Sequence, residues 1–231
     1  FRKLDLKMKL VVFCLSIALV CIAIIGYVSY LSGETALKAK MTENLAAVAQ
    51  SREDALLLYL RAKKIEITHI ATGGILRAAL EKIVTKDPEA ANKIEELNRF
   101  FLKDRLPINP ETLEIFALDL EGDVVASSDK ESIGLAHTNE DYFAQGQKGT
   151  FIGDVFLSSI TKEIGFIISA PVKSLTGDTL LGVVAARYDL TTLNEITTNR
   201  HGLGETGEVY IVNKDSLMIT ESRFLKDVIL K

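Results

Sequence analysis

The chain has 231 residues, 27 Lys and Arg against 31 Asp and Glu, and a formal net charge of −4. That balance gives no support to nucleic-acid binding, which needs a basic face, and a charged fraction of 25% is ordinary for a folded soluble domain. The two cysteines, Cys14 and Cys21, lie in one apolar run, which excludes a disulfide framework.

That run, Leu10 to Leu31, contains no charged residue. As a helix rising about 1.5 Å per residue it spans roughly 33 Å, enough to cross a hydrocarbon core of about 30 Å. A cleaved signal peptide has a shorter apolar region, about 7–15 residues, followed by a small-x-small site; Val28 to Gly33 offers no such site. Arg2, Lys3, Lys7 and Lys9 precede the run against Asp5, whereas Lys38 and Lys40 beyond it are offset by Glu34 and Glu43. The positive-inside bias therefore predicts residues 1–9 in the cytoplasm, a transmembrane helix over 10–31 in the inner (cytoplasmic) membrane, and everything later on the far side. Tyr27 and Tyr30 fall at the outer interface, and Cys14 and Cys21 share one helix face, open to lipid or to a second helix.

Residues 32–106 read as a helical stalk. Leu37, Met41, Leu45 and Val48, then Ala55, Leu58, Ala62 and Ile65, recur at helical spacing, with Lys38, Glu43, Arg52, Glu53, Arg61, Lys63 and Lys64 on the other faces. Such a helix can carry a signal, or simply pack. Gly73-Gly74 predicts a bend, since each glycine costs about 1 kcal/mol in a helix relative to alanine. Asp87-Pro88 reads as an N-cap followed by proline at the first helical position, opening a helix to about Leu102. Pro107 and Pro110 close the helical region. His69, alone on a mostly apolar helix, is read as structural.

After Pro110 the period changes to that of strands. Thr112 to Asp119 and Val124 to Ser127 flank the turn Leu120-Glu121-Gly122-Asp123. Asp119, Glu121 and Asp123 have the look of a calcium loop, but the remaining ligand positions are missing, so a solvated turn is expected. Gly134 to Gly149 holds a short helix near Asp141 to Gln145, and His137, Glu140 and Asp141 there read as a polar loop and not a metal site. Strands follow at Thr150 to Ser158, Glu163 to Lys173 and Thr179 to Asp189, the last two joined by Thr176-Gly177-Asp178. The expectation is an α+β fold: an antiparallel five-stranded sheet over residues 107–200, packed on the stalk helix.

The run NEDYFAQGQKGTFIGDVFLSSITKEIGFIISAPV, followed by LLGVVAARYDL, resembles the first PAS-like module of double Cache receptors. GLGETGEVYIVNKDSLMITESRF resembles the opening strands of their second, membrane-proximal module, which places its start in residues 201–231. The resemblance implies an extracytoplasmic sensor domain of a bacterial histidine kinase or chemoreceptor, with small molecules bound outside the cell. It implies output through a second transmembrane helix to kinase, chemotaxis or cyclic-dinucleotide machinery beyond Lys231. The first residue, Phe1, and the apolar end at Val228 to Leu230 fit a piece of a longer receptor.

Period-two alternation puts Asp154, Phe156 and Ser158 on one strand face, and Val183, Ala185, Arg187 and Asp189 on one face of another. The resemblance adds Tyr142 and Phe143, on the helix that covers the pocket in the family. Amino-acid-binding members carry an arginine two residues before that aromatic pair, and here the place is taken by Glu140. A tyrosine and an aspartate on the ligand amine correspond to Phe156 and Ser158, while a final aspartate is kept as Asp189. The candidate ligand residues are thus Tyr142, Phe143, Asp154, Phe156, Ser158, Arg187 and Asp189. Arg187 has two readings, a cation for an organic acid or a structural partner of Asp189.

The expected partners are a small organic ligand (an organic acid, amine or amino acid), the membrane and a second copy of the chain in a homodimer, with no nucleic acid and no cofactor. The alternative is a structural or dimerisation ectodomain without a ligand. No Gly-x-Ser-x-Gly, His-Glu-x-x-His or Walker pattern occurs, and His69, His137 and His201 lie in separate segments, so no enzyme is expected in this stretch.

Overall fold

The computed structural model describes residues 6–158, 161–177 and 179–231. Arg2, Lys3 and Asp5 of the N-terminal flank, and Asp178 of the expected hairpin loop, lie outside the described residues. The chain divides into two units, Phe1–Ser51 and Arg52–Lys231.

In the first unit the described residues belong to helix α1, Leu6–Ala71. A window of 18 residues in α1 reaches a mean hydropathy of 2.8 with none of it buried. The helix is therefore long and apolar enough to cross a membrane. Thr35 and Thr42 return their hydroxyls to the carbonyls of Leu31 and Lys38, and Lys38 pairs with Glu34 at 2.7 Å one turn away.

In the second unit α1 continues to Ala71 and packs Ile67, Ile70 and Ala71 into the core. Gly73 stops it: the residue is extended, donates its N–H to Ile70 O and accepts the first bond of the next helix from Arg77. Helix α2 (Gly74–Val84) buries Leu76, Ala79 and Leu80, and helix α3 (Ala90–Phe100) buries Leu97. Each fully buried leucine or phenylalanine of this kind stabilises by about 1.5–3 kcal/mol. The expected start of α3 at Pro88 shifts by two residues. Asp87 still caps the turn, accepting the Glu89 N–H and pairing with Lys82 at 2.7 Å. A π-helical turn, Phe101–Arg105, and a short 3₁₀ turn, Leu106–Ile108, lead to the sheet.

The sheet is antiparallel, with strands β1 (Thr112–Leu118), β2 (Val124–Ser127), β3 (Phe151–Ile152), β4 (Phe156–Leu157), β5 (Ile164–Lys173) and β6 (Leu180–Tyr188). Its order is β2-β1-β6-β5-β3, with β4 also on β5. The expected five strands are thus six, because Thr150 to Ser158 is broken. Gly153 donates to Ile167 O and lets the chain leave the ladder before β4 resumes it. The turn at Asp119 is a plain hairpin: one carboxylate oxygen accepts the N–H groups of Glu121, Gly122 and Asp123.

One sheet face carries Ile115, Ala117, Phe166, Ile168, Ala170, Val184, Ala186 and Tyr188 against α1, α2 and α3. The other carries Phe116, Leu118, Ile167, Val183 and Ala185 under helix α4 (Asp141–Gly146). A polar node ties α1 to the sheet. The buried Lys63 ammonium lies 3.4 Å from Glu111 and 3.9 Å from Glu66, with the Tyr59 and Tyr188 rings at 5.2 and 4.9 Å. Burial pushes the Glu111 carboxyl up, but hydrogen bonds from Thr192 and Tyr59, with the Lys63 charge, outweigh it and hold it below its usual range. Helix α5 (Thr191–Thr198) follows, and beyond it the described chain runs in turns with one bridge, Val212 to Met218, so the strands expected there are not formed.

Gly165 lies where β5 crosses the end of β6, and a Cβ there would collide with the Tyr188 carbonyl oxygen. Gly165→Ala is expected to destabilise the domain by about 1–3 kcal/mol, the usual range for an overpacked core site. Urea unfolding checks this, and an unchanged midpoint would contradict the packing described.

Candidate ligand-binding cavity

The second sheet face carries polar side chains at the end of β1 and β6. The two strands pair Glu114 with Arg187 and Phe116 with Ala185. Both charged residues point away from α1 and are buried. Arg187 Nη2 lies 3.6 Å from Glu114 Oε2, and Nη1 lies 3.8 Å from Glu163 Oε2 on the neighbouring segment. Nη1 also donates to Thr161 Oγ1 at 2.5 Å, and Nε has no partner among the described residues. The other oxygen of Glu114 accepts the Ser127 hydroxyl at 2.8 Å.

Helix α4 roofs this face. Gly146 lets it approach the sheet, since a Cβ there would meet Ser169 Oγ, and Ser169 donates to Tyr142 O at 2.6 Å. The segment after β2 runs back along that strand: Gly134 donates to Val124 O and His137 to Gly122 O. His137 is thereby set between Phe116 and Tyr142, each ring centroid 5.9 Å away. Burial pushes the His137 imidazole below its usual range, against the charges of Glu140 and Glu114, so the ring is neutral near pH 7. Burial pushes the Tyr142 phenol up, with Glu140 and Glu114 adding to it.

Between roof and sheet is a cavity of about 200 Å³. A water molecule takes up roughly 30 Å³ in the liquid, so the space suits a small organic molecule. Its walls are apolar at Phe116, Val124, Phe156, Leu157 and Ile167, and polar at Glu114, Ser132, His137, Glu140, Tyr142, Ser158, Thr161 and Arg187. An apolar lining with a few placed polar groups is the usual make-up of a small-ligand site.

Four of the expected residues come together here: Tyr142, Phe156, Ser158 and Arg187. Phe143 does not line the cavity; it packs in the core below α4. Asp154 accepts the N–H of Val155 and borders an outer groove instead of the cavity. Asp189 lies past the end of β6 and accepts the Thr191 N–H at the start of α5. The structural reading of Arg187 is corrected in its partner: Glu114 and Glu163 hold it, with no ion pair to Asp189 among the described residues. Glu114, His137 and Thr161 were missed. Glu114 had a signal, a lone carboxylate in the otherwise apolar strand TLEIFAL.

A sequence model described as the Cache domain matches residues 33–228. No curated protein matches the chain. Among solved structures, the sensor domain of the Vibrio cholerae histidine kinase DctB is similar with a TM-score of 0.57 at 19% identity, over 79% of this chain and 67% of that one. The ligand-binding domain of the Pseudomonas aeruginosa PAO1 amino acid chemoreceptor PctC, in complex with GABA, gives 0.60 at 16% identity, over 81% and 77%. That of the Pseudomonas fluorescens chemoreceptor CtaA, in complex with L-serine, gives 0.55 at 17%, over 79% and 71%. At these identities the likeness is one of fold.

Removing one member of a buried ion pair leaves the other uncompensated, at a cost of about 3–5 kcal/mol. Arg187→Met is expected to lose stability in that range, and Arg187→Met with Glu114→Gln to regain a large part of it. A double-mutant cycle by chemical unfolding checks this, and additive losses would contradict the pairing.

Proposed function

The chain belongs to the Cache domain family, and from that membership we propose that it is the extracytoplasmic sensing domain of a bacterial transmembrane signal receptor, a histidine kinase or a chemoreceptor. Residues 10–31 form its membrane helix, 32–106 its helical stalk, 107–200 its membrane-distal module and 201–231 the start of the membrane-proximal one. The ligand is a small amine or amino acid held in the cavity beneath α4. The observation that carries this is the state of the only guanidinium in the cavity wall. Arg187 is already shared between Glu114 and Glu163, and Glu140 adds a further carboxylate. A doubly charged organic acid would enter a space whose one guanidinium is neutralised; an ammonium group would meet unspent negative charge. The GABA and L-serine complexes of PctC and CtaA, which share this fold, agree with that class.

Ligand binding favours one arrangement of α4 and the sheet, in proportion to its differential affinity for the two states. The helix α1, joined to the sheet through Lys63, carries the change towards the membrane. Leu58 and Ile65, exposed by 71% and 58%, give α1 an apolar seam that suits a second copy of the chain.

A melting-shift screen of amines, amino acids and organic acids tests the ligand. Amines or amino acids are expected to raise Tm, as a ligand specific to the folded state must. A shift with organic acids alone would overturn the class, and no shift with any of the three would favour a structural ectodomain. Leu58→Cys in intact cells tests the topology and the homodimer. The thiol is expected to react with a membrane-impermeant maleimide and to form a symmetric crosslink; labelling only after lysis, or no crosslink, would contradict one or the other.

A further inference from the structure

His137 is held by backbone on both sides and joined directly to the roof of the cavity. Its N–H donates to Gly122 O, and the next residue, Thr138, donates its hydroxyl to Glu121 O at 2.8 Å. Asp123 and Ala136 are bridged beside them. Gly122 has a φ of +91°, and a Cβ there would collide with the Thr138 backbone and the Phe143 ring. The hairpin after β1 therefore grips the segment of His137 and α4 at one point. On the other side the His137 carbonyl accepts the Glu140 N–H, and the Glu140 carbonyl starts α4 by accepting from Phe143 and Ala144. The imidazole, set between Phe116 of β1 and Tyr142 of α4, is thus one turn of chain away from the first residue of the roof.

The ionisable groups that share the cavity wall with His137 are Glu114 of β1, Arg187 of β6, Tyr142 of α4 and Glu140 of its own segment. Glu163 stands 3.8 Å from Arg187, Asp141 borders the outer groove, and Glu121 and Asp123 are exposed on the hairpin. Within the wall Glu114 and Arg187 form a pair, whereas Glu140 has no ion pair among the described residues. A neutral His137 leaves that carboxylate unmatched, and a proton on the ring matches it. Burial opposes the proton, while the Glu140 and Glu114 charges favour it. Uptake then falls in the weakly acid range, below the ordinary imidazole value of about 6.5.

We propose that His137 makes the roof of the cavity respond to protons: its charged ring draws on the Glu140 carboxylate and re-seats the start of α4 over the sheet. The imidazolium keeps its aromatic neighbours, whose ring faces accept a cation, and gains attraction to the residue whose carbonyl opens the helix. At its other end α4 is seated without slack, because a Cβ on Gly146 would collide with Ser169 and Val183. A shift at Glu140 is therefore felt at Gly146. Proton and organic ligand act on the same roof, so the domain takes pH as a second input. The proton response goes beyond the amine reading and does not depend on which organic molecule the cavity takes.

Nuclear magnetic resonance of the full chain in detergent micelles tests this. In a His69→Gln/His201→Asn variant His137 supplies the one histidine ring signal. Isotope labels on glutamine carbonyls and glycine nitrogens pick out Gly146, since Gln145-Gly146 is the only Gln-Gly pair in the chain. Between about pH 7.5 and about pH 5 the ring is expected to titrate with a midpoint below about 6.5, and the Gly146 amide to shift with the same midpoint. His137→Gln is expected to abolish the Gly146 transition. Glu140→Gln, at an exposed position, is expected to lower the ring midpoint by a few tenths of a pH unit, the scale of one screened surface charge, and to shrink the Gly146 change. A Gly146 signal that stays still while His137 titrates, or one that moves equally in His137→Gln, would overturn the proposal. So would a Glu140→Gln variant with the parent midpoint, which also decides the matter if His137→Gln does not fold. None of these outcomes bears on the amine reading, which the melting-shift screen decides.

Discussion

The register between β1 and β6 is the constraint on which both faces of the sheet depend. It sets Glu114 opposite Arg187 on the cavity side and Thr112 opposite Tyr188 at the strand ends. Side chains alternate along a strand, so a slip of one residue would exchange the faces. If β1 slipped against β6, Glu114 would then meet Ile67, Ile70 and the other apolar side chains that cover the helix-side core, Ile115 would face the cavity, and Arg187 would stay there without its partner. A carboxylate in such a core, and a buried guanidinium left without its partner, each carry a cost of several kcal/mol. The ion pair is thus weak evidence for stability by itself, yet it opposes the misregistered sheet as strongly as the apolar pattern does.

The same strand ends carry a second buried cation on the opposite face. Lys63 reaches from α1 to Glu111, just before β1, and to the ring of Tyr188, the last residue of β6. Arg187 and Tyr188 are neighbours in the chain, one facing the cavity and the other facing α1. Tyr59 joins the node by donating its hydroxyl to Glu111 at 2.7 Å, and Thr192 of α5 donates to the other oxygen at 2.5 Å. A single peptide bond therefore separates the guanidinium in the cavity wall from the ring that meets the helix ammonium.

The sequence made the large elements legible because their causes are local. Gly73 ends α1 through its own backbone, and β1, β5 and β6 are runs of mostly apolar residues. The strand over 150–158 was misread because FIGDVFL keeps a strand-like pattern through a break that depends on a remote partner, the Ile167 carbonyl. Asp189 was placed on a strand face by counting in twos from Arg187, but the strand stops at Tyr188 and the aspartate accepts the Thr191 N–H at the start of α5. Alternation predicts a face only while the ladder lasts. Tyr142, Phe156, Ser158 and Arg187, which line the cavity, were chosen through pattern and resemblance together. Glu114 and His137 were not, because each is brought to the cavity by pairing with a distant segment: Glu114 by β6, and His137 by the run that returns along β2 to Gly122.

The charges of the site divide by depth, and the division decides what can bind. Arg187 is deep, so it has to be paired in the empty protein; unpaired, it would carry the full cost of a buried ion. A ligand carboxylate at that point has to compete with Glu114 and Glu163, which are already in place. Glu140 is at the rim, where water solvates its carboxylate in the empty state at little cost. An ammonium arriving there displaces only water and has no internal partner to evict. The resemblance read from the sequence implies an arginine at this place in amino-acid-binding members, where this chain has Glu140, a charge of the opposite sign. Net charge counts alone would miss the difference, because selectivity follows from which charge is free to accept a partner. On the proposed amine reading, the rim carboxylate and not the buried guanidinium sets the sign of the ligand.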